Sequence, residues 1–169
     1  MKETRIWIVA DRQYRGYERL RVKIMKISEL LQRIDYMVLQ GNLSDEVTGI
    51  CHDNRIIQEG DAFICISGAR FDTHTMAKEL AKKAALLVVE KPVELEDGCK
   101  TAVVQVASTR DIVAALAAAF YGYPSEKVVC IGITGSKGKT TCTHMMADIL
   151  RAAGYLTGTI GTNGAIMPA

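Results

Sequence analysis

Residues 128–141 read VVCIGITGSKGKTT, and this stretch decides the fold. An apolar run of strand length leads into a glycine-rich loop, and the loop leads into a segment whose apolar residues recur at helical spacing. Gly135 and Gly138 let the backbone turn tightly and aim its N–H groups at an anion. A strand, a loop of this kind and a helix in succession predict a nucleotide phosphate-binding site.

The polar residues of the loop have separate expected roles. Lys139 can reach the β- and γ-phosphates of a nucleotide as a point charge, and Thr140 can offer its hydroxyl to Mg²⁺. We therefore expect a nucleotide with Mg²⁺ at this loop, with Lys139 as the residue that acts on the phosphates and Thr140 as the metal ligand. The full set of predicted cofactor-binding residues is Gly135, Ser136, Lys137, Gly138, Lys139, Thr140 and Thr141.

An ordinary glycine-rich turn is the alternative interpretation of this loop. The match to the strict phosphate-loop pattern is incomplete, because Ile133 stands where that pattern has its first glycine. A simple turn, however, does not explain a lysine at the start of a helix, where the helix dipole disfavours cations.

Strand and helix patterns alternate upstream of the loop, beginning near Met25. Strands are predicted at 36–40, 47–51, 62–66, 86–89, 102–106 and 156–160, and the apolar run at 62–66 predicts a buried one. Helical spacing of apolar residues occurs near 27–34, 76–84 and 112–120, and again at Cys142, Met145, Met146, Ile149, Leu150 and Ala153. Ser108, with Asp111 three positions later, predicts a helix cap. This alternation favours an α/β fold with a parallel sheet.

The break at 121–125, which contains Gly122 and Pro124, predicts a linker between two domains. We expect an N-terminal α/β domain over 25–126, followed at 127–169 by the first βαβ unit of a phosphate-loop domain. Residues 1–24 carry seven basic and three acidic residues. We predict a poorly ordered extension there, in preference to a nucleic-acid-binding patch.

Composition narrows the class of protein. The chain has 169 residues, of which 49% are hydrophobic and 24% charged, as in a typical globular protein. It has no apolar run near the ~20 residues that span a bilayer, and no signal-peptide pattern, so we predict a cytoplasmic protein without a membrane or nucleic-acid partner. Its five cysteines form no CxxC pair, so we expect reduced core residues and neither a zinc site nor a disulfide framework. His74 and His144 are expected at the surface or in caps.

The loop at 134–141, Thr-Gly-Ser-Lys-Gly-Lys-Thr-Thr, resembles that of the Mur ligases and folylpolyglutamate synthetases, a family that also lacks the first glycine of the strict pattern. Upstream, the series His-Asp-Asn-Arg (52–55), Gly-Asp-Ala-Phe-Ile (60–64) and Ser-Gly (67–68) with Asp72 resembles a second motif of that family. Downstream, residues 154–162 resemble the ligases that add the third peptide residue, the UDP-N-acetylmuramoyl-tripeptide synthetases. The resemblance extends from residue 25 to residue 169.

This resemblance implies a small N-terminal α/β domain that holds the UDP end of a UDP-N-acetylmuramoyl-peptide, followed by the start of an ATP-binding domain. The positions that match the family's substrate contacts are His52, Asn54, Ala69, Arg70 and Phe71. Asn54 stands where the family has serine. Thr73 stands where it has glycine, so the turn loses the freedom to adopt a positive φ.

The resemblance also implies a reaction, in which ATP phosphorylates a substrate carboxylate and an incoming amino group then forms an amide. Such ligases add an amino acid to UDP-N-acetylmuramoyl-dipeptide during the synthesis of peptidoglycan, on which cell shape and division depend. The chain ends at Pro168-Ala169, before the family's Asn-Thr-Thr motif, its acidic Mg²⁺ ligands and its C-terminal domain. We therefore expect this chain alone not to catalyse the ligation. A non-catalytic nucleotide or UDP-sugar binding module, a last-residue ligase and a folylpolyglutamate synthetase remain alternatives.

Overall fold

A computed structural model describes residues 5–9 as backbone, and residues 24–68 and 71–167 in full. The described residues form two units. One contains 5–9 and 123–167, and the other contains 24–122 without 69–70. The boundary between Gly122 and Tyr123 falls inside the predicted linker. Tyr123 has a left-handed φ of 53°, and Pro124–Lys127 form a 3₁₀ turn, so the helical path ends there.

The strands and helices follow the predicted alternation. In chain order the strands are β1 (Arg5–Val9), β2 (Met25–Lys26), β3 (Met37–Gln40), β4 (Glu46–Val47), β5 (Gly49–Cys51), β6 (Asp61–Ile64), β7 (Ala84–Val89), β8 (Ala102–Gln105), β9 (Val129–Gly132), β10 (Leu156–Gly161) and β11 (Gly164–Ile166). The helices are α1 (Ile27–Leu30), α2 (Ala77–Leu80), α3 (Thr109–Phe120) and α4 (Lys139–Ala152), and Thr73–Met76 form a second 3₁₀ turn.

The unit at 24–122 is built on a five-stranded sheet in the order β3-β8-β7-β6-β5. Strands β5 to β8 run parallel, and β3 pairs with β8 antiparallel. The central strands are almost continuously buried, as expected for parallel strands covered on both faces. The largest fully buried side chains of this unit include Ile27, Leu30, Leu31, Phe63, Leu86, Leu87 and Leu116.

Helix α3 begins as its sequence predicts. The Ser108 side chain accepts a hydrogen bond from the Asp111 N–H, at 3.4 Å, and Ser108 itself has an extended backbone. The helix buries Leu116, Ala119 and Phe120. The Ser108 cap and the buried residues of the helix therefore determine where α3 starts, shortly after the carboxyl end of β8.

The unit at 123–167, together with β1, contains a four-stranded sheet in the order β11-β10-β1-β9. Strand β1 pairs in parallel with both β9 and β10. This differs from the expected poorly ordered extension, because the sequence RIWIV at 5–9 is rich in β-branched and aromatic residues that favour a strand. Residues 10–23 of that extension lie outside the described part of the chain.

Helix α4 packs on its sheet through a different face from the predicted one. Thr143 and Ala147 are buried, and Leu150 and Ile131 pack beside Ala147. The predicted apolar line is largely exposed, with Met145 at 60% and Ile149 at 67%. Small residues lie on the sheet because they allow the helix to approach it closely, and the longer side chains point away.

Two of the five cysteines also differ from expectation. Cys51 and Cys65 are buried, whereas Cys130 and Cys142 are exposed. Both exposed cysteines flank the glycine-rich loop, on β9 and on the first turn of α4.

Within the part of the chain that the structure describes, no helix has the length and apolar character needed to cross a bilayer.

Two glycines provide a test of the close approach between β3 and β8. Gly41 and Gly98 both have φ above +80°, but a Cβ at Gly41 would lie 2.5 Å from the Ala102 Cα, whereas a Cβ at Gly98 would have open space. We expect Gly98→Ala to lower the free energy of unfolding by about 1 kcal/mol through backbone strain alone. Gly41→Ala should cost at least twice as much in urea unfolding, and equal costs would contradict the close contact.

Candidate functional site

The glycine-rich loop connects the end of β9 to the start of α4. Gly135 has a φ of 155° and Gly138 a φ of 78°, so both have backbone conformations that side chains disfavour. Gly138 is the N-cap of α4 and provides no side-chain hydrogen bond to the first turn, which also contains no acidic residue. The helix therefore presents its positive dipole end to the loop without a carboxylate that would neutralise it.

Lys139 and Thr140 are the first two residues of α4. The Lys139 ammonium donates a hydrogen bond to the Gly135 carbonyl oxygen at 2.8 Å, so the side chain folds back over the loop. The Thr140 hydroxyl lies 3.3 Å from the Thr162 hydroxyl at the β10–β11 turn. The Lys139 ammonium therefore lies over the loop, and the Thr140 hydroxyl lies beside the turn between β10 and β11.

A small pocket lies beside this helix turn. Thr140, Thr143 and His144 contribute from α4, and Thr159, Gly161, Asn163, Gly164 and Ile166 from β10, β11 and the turn between them. The pocket therefore borders the Thr140 hydroxyl. The loop backbone, the uncapped helix and the Lys139 ammonium fit a polyphosphate, and the Thr140 hydroxyl is an oxygen ligand of the kind that Mg²⁺ accepts.

The predicted substrate-binding residues of the other unit follow two neighbouring strands. His52 and Asn54 come after β5, and Phe71 comes after β6. Because β5 and β6 are parallel, with Cys51 opposite Phe63, these segments leave the sheet at the same edge. Ligands of parallel α/β sheets bind at this carboxyl edge. Ala69 and Arg70 lie outside the described residues.

The exposure of these side chains differs. His52 is exposed and Phe71 is 52% exposed, which leaves both open to a ligand. Asn54 is half-buried, and its Nδ2 lies 3.5 Å from the Met76 sulfur, a weak acceptor. The larger amide at the family's serine position is therefore accommodated against the 3₁₀ turn.

Asp53 and Arg55 have a local structural role in this segment. The Asp53 carboxylate accepts hydrogen bonds from the Arg55 backbone N–H at 3.0 Å and from its Nε at 2.9 Å. These hydrogen bonds from Arg55 lower the pKa of Asp53 to about 2. The pair closes an Asx turn that shapes the segment after β5.

Thr73 stabilises the turn in which the family has glycine. Its hydroxyl accepts a hydrogen bond from the Ile66 N–H at 2.7 Å and donates one to the Ile66 carbonyl at 3.2 Å. Its backbone φ is not positive, since Tyr123 is the non-glycine residue with a positive φ in the described part of the chain. The turn therefore does not require the freedom that glycine would give.

A network around Asp72 and His74 was not found from the sequence. The Asp72 carboxylate accepts hydrogen bonds from the His74 N–H, the His74 ring and the Lys91 ammonium, the last at 2.7 Å. His74 is buried within the 3₁₀ turn that Asp72 caps, so of the two expected locations, surface or cap, the surface is excluded. In the sequence, only the short separation of Asp72 and His74 could have indicated that these two side chains interact. It could not identify Glu90 and Lys91 as their partners, because these residues are distant in the chain.

Two family models match the sequence. Residues 46–121 match "Mur ligase family, catalytic domain", and residues 133–168 match "Mur ligase middle domain". The first match contains the carboxyl-edge segments, and the second contains the glycine-rich loop.

Curated relatives support the same grouping. The chain is 38% identical over 139 residues to the UDP-N-acetylmuramoyl-L-alanyl-D-glutamate–2,6-diaminopimelate ligase of Clostridium perfringens. It is 40% identical over 139 residues to the ligase of the same name from Bacillus cereus. Each alignment covers 82% of this chain and 28% of the relative, so the chain spans little more than a quarter of their length.

Solved structures with a similar fold include MurF from Acinetobacter baumannii. Its crystal structure aligns with a TM-score of 0.59 and 28% sequence identity, covering 77% of this chain and 28% of that chain. A second structure from the same organism, a UDP-N-acetylmuramoylalanyl-D-glutamyl-2,6-diaminopimelate–D-alanyl-D-alanyl ligase, aligns with a TM-score of 0.53 and 26% identity over 80% of this chain and 30% of that chain.

Asp72 should make stability depend on pH in the acid range. The Lys91 ammonium, followed by the His74 groups, holds the pKa of Asp72 well below its ordinary value, although burial opposes this. A carboxyl whose folded pKa is lowered stabilises the fold above its unfolded pKa of about 3.9, and this contribution is lost as the pH falls below that value. We expect the free energy of unfolding to fall less steeply from pH 5 to pH 2 in Asp72→Asn and Lys91→Met than in the unmodified chain. Parallel pH profiles in urea unfolding would contradict this.

Proposed function

Because the chain belongs to the Mur ligase family, we propose that it is the N-terminal part of an ATP-dependent ligase. This ligase adds an amino acid to UDP-N-acetylmuramoyl-L-alanyl-D-glutamate in peptidoglycan precursor synthesis. The observation that carries the proposal is the uncapped start of α4, where Lys139 folds over the Gly135 carbonyl within the segment that matches the middle-domain model. A polyphosphate with a bound metal ion is the ligand that this arrangement suits.

The loop residues would hold the nucleotide by charge and by backbone geometry. Gly135, Ser136, Lys137, Gly138 and Thr141 would supply backbone and side-chain donors, Lys139 would neutralise phosphate charge, and Thr140 would hold Mg²⁺. ATP supplies the phosphoryl group that activates the substrate carboxylate. The contribution of these residues is positioning and charge stabilisation, so they need no covalent step of their own.

The carboxyl edge of the five-stranded sheet would hold the UDP end of the muramoyl substrate. His52 and Phe71 support this assignment because both are exposed there, on segments that follow adjacent parallel strands. Asn54, Ala69 and Arg70 complete the proposed set. The amide formation itself would require the further domains that the longer relatives contain, since the chain spans about 28% of their length.

A ligase that adds the last peptide residues is the second candidate, and the fold similarity to MurF favours it. We prefer the third-residue assignment because the two curated relatives named above are 38% and 40% identical to this chain, against 28% for the MurF structure. We place the activity in the cytoplasm. The sequence supports this location, because its five cysteines form no CxxC pair and do not suggest a disulfide framework.

The nucleotide assignment is tested by removing one charge. Lys139→Ala should weaken ATP binding at least about tenfold, because a charge-assisted hydrogen bond is worth roughly 1.5–3 kcal/mol. Calorimetry with Mg²⁺-ATP measures the affinity, and circular dichroism measures the fold, which should not change. Lys82→Ala is the matched control, since Lys82 is a surface lysine paired with Glu96. Equal ATP affinity in all three proteins would exclude this phosphate site.

The substrate assignment is tested at Phe71. Because this ring is 52% exposed, Phe71→Ala should leave the free energy of unfolding nearly unchanged. It should weaken binding of UDP-N-acetylmuramoyl-L-alanyl-D-glutamate about tenfold, if the ring packs against the ligand as aromatic side chains pack on bases. Tyr121→Ala is the control, because Tyr121 is 50% exposed and follows the far end of α3. Equal losses in both variants would contradict a site at the carboxyl edge.

A further inference from the structure

His74 has an enclosed side chain near the carboxyl edge, with 1% of its side-chain surface exposed. One ring nitrogen, Nδ1, lies 2.6 Å from the Asp72 Oδ1. The other, Nε2, accepts a hydrogen bond from the Glu90 backbone N–H at 3.0 Å. Both nitrogens are therefore used, and they join residues on two different segments of the chain.

The partners of the ring determine its tautomer. A backbone N–H can only donate, so Nε2 must be the acceptor and Nδ1 must carry the proton. The Nδ1–H then donates to the Asp72 carboxylate. The Ser67 hydroxyl lies 3.5 Å from the same Nδ1. This cluster is not a nucleophilic triad, because in a triad the hydroxyl and the carboxylate meet opposite nitrogens of the ring.

Asp72 also pairs with Ser67, and Phe71 lies between these two residues in the chain. Ser67 and Asp72 form an antiparallel β-bridge. The Gly68 N–H donates to the Phe71 carbonyl at 2.8 Å, so Gly68 and Phe71 face each other just inside that bridge. Phe71 therefore projects from a closed turn whose base includes the residue that His74 contacts.

Charged side chains from two elements surround the Ser67–Asp72 bridge. From the end of β7, Lys91 pairs with Asp72, while Glu90 accepts hydrogen bonds from the Thr109 N–H and hydroxyl, both at 2.8 Å. From the start of α3, Arg110 donates to the Ser67 carbonyl at 2.9 Å. His74 thus connects the end of the sheet to the turn, and loss of its ring would remove one of the two hydrogen bonds that the Asp72 Oδ1 accepts.

We propose that His74 is a positioning residue for the UDP substrate, whose Nδ1–H fixes the Asp72 carboxylate and so keeps the Gly68–Phe71 contact closed and Phe71 in place. This inference rests on the proposed substrate site, because Phe71 is the residue that would meet the ligand. His74 itself is enclosed and touches no ligand. It restricts the conformations of the turn before the substrate binds, so that less conformational entropy is lost on binding.

Three substitutions separate the two hydrogen bonds of the ring. In His74→Asn the amide nitrogen can occupy the place of Nδ1, so the donor to Asp72 is kept and the acceptor for Glu90 is lost. In His74→Gln the longer side chain can keep the acceptor near the place of Nε2 and loses the donor to Asp72. His74→Phe keeps the ring shape and loses both bonds.

Two measurements on the full chain test the proposal. Amide hydrogen exchange at Gly68 reports whether the turn stays closed, and calorimetry with UDP-N-acetylmuramoyl-L-alanyl-D-glutamate reports the affinity. We expect His74→Gln and His74→Phe to increase the exchange rate at Gly68 and the Kd at least about tenfold. His74→Asn should restore both values to within about threefold of the unmodified chain. A long-range ¹⁵N ring spectrum of the unmodified chain should show the proton on Nδ1.

Three other outcomes would each contradict one of the roles proposed for His74 or for its site. If His74→Asn loses affinity and protection as completely as His74→Phe, His74 is only a structural residue and the positioning role is excluded. If His74→Gln behaves like the unmodified chain, the Asp72 contact is irrelevant. If the unmodified chain binds no UDP substrate, the proposed function fails at this site, and Gly68 exchange in the same variants still decides whether His74 closes the turn.

Discussion

The parallel pairing of β5, β6, β7 and β8 is the constraint from which the geometry of the larger unit follows. Parallel strands end at one edge, so every segment that leaves them there is brought close to the others although it is distant in sequence. The Asp53–Arg55 turn, the turn that carries Phe71, the Glu90–Lys91 pair and the start of α3 meet at this edge for that reason. The interior of the sheet is apolar, and the polar groups are concentrated where the strands stop.

Hydrogen bonds and ion pairs connect the segments at this edge. Asp72 is the centre of the arrangement, since one of its oxygens meets Lys91 and the other meets two N–H groups of His74. The Glu90 carboxylate likewise has a lowered pKa, because it accepts hydrogen bonds from the backbone and side chain of Thr109. Buried or half-buried polar groups are costly unless they are paired, so a complete network holds the turn in one conformation.

In the smaller unit, the loop that follows the parallel strand β9 has a different structural basis. Helix α4 begins directly after the loop that follows β9, and its N-cap provides no side-chain hydrogen bond. Its N–H groups and dipole are therefore available to an anion, and glycines supply the backbone conformations that allow the approach. The larger unit thus holds a turn through paired side chains, whereas the smaller unit holds its proposed phosphate site through backbone geometry.

The sequence determined the local features of this protein. The spacing around residues 128–141, the Ser108 cap and the apolar runs of β6, β7 and β8 depend on neighbours a few positions away, and local sterics and hydrogen bonding are enough to specify them. The location of the predicted loop between a strand and a helix follows from the same pattern. The roles assigned to its residues remain predictions, as do those of His52, Asn54, Ala69, Arg70 and Phe71.

Tertiary structure decided what depends on distant partners. The sequence could not show that Thr143 and Ala147, and not Met145 and Ile149, face the sheet, because an apolar pattern marks a candidate face without naming what it packs against. It could not show that 5–9 form a strand, since pairing with β9 and β10 joins segments more than a hundred residues apart. Nor could it identify His74 as a buried connector, because its environment is created by Glu90, which only the fold of the parallel sheet brings within hydrogen-bonding distance.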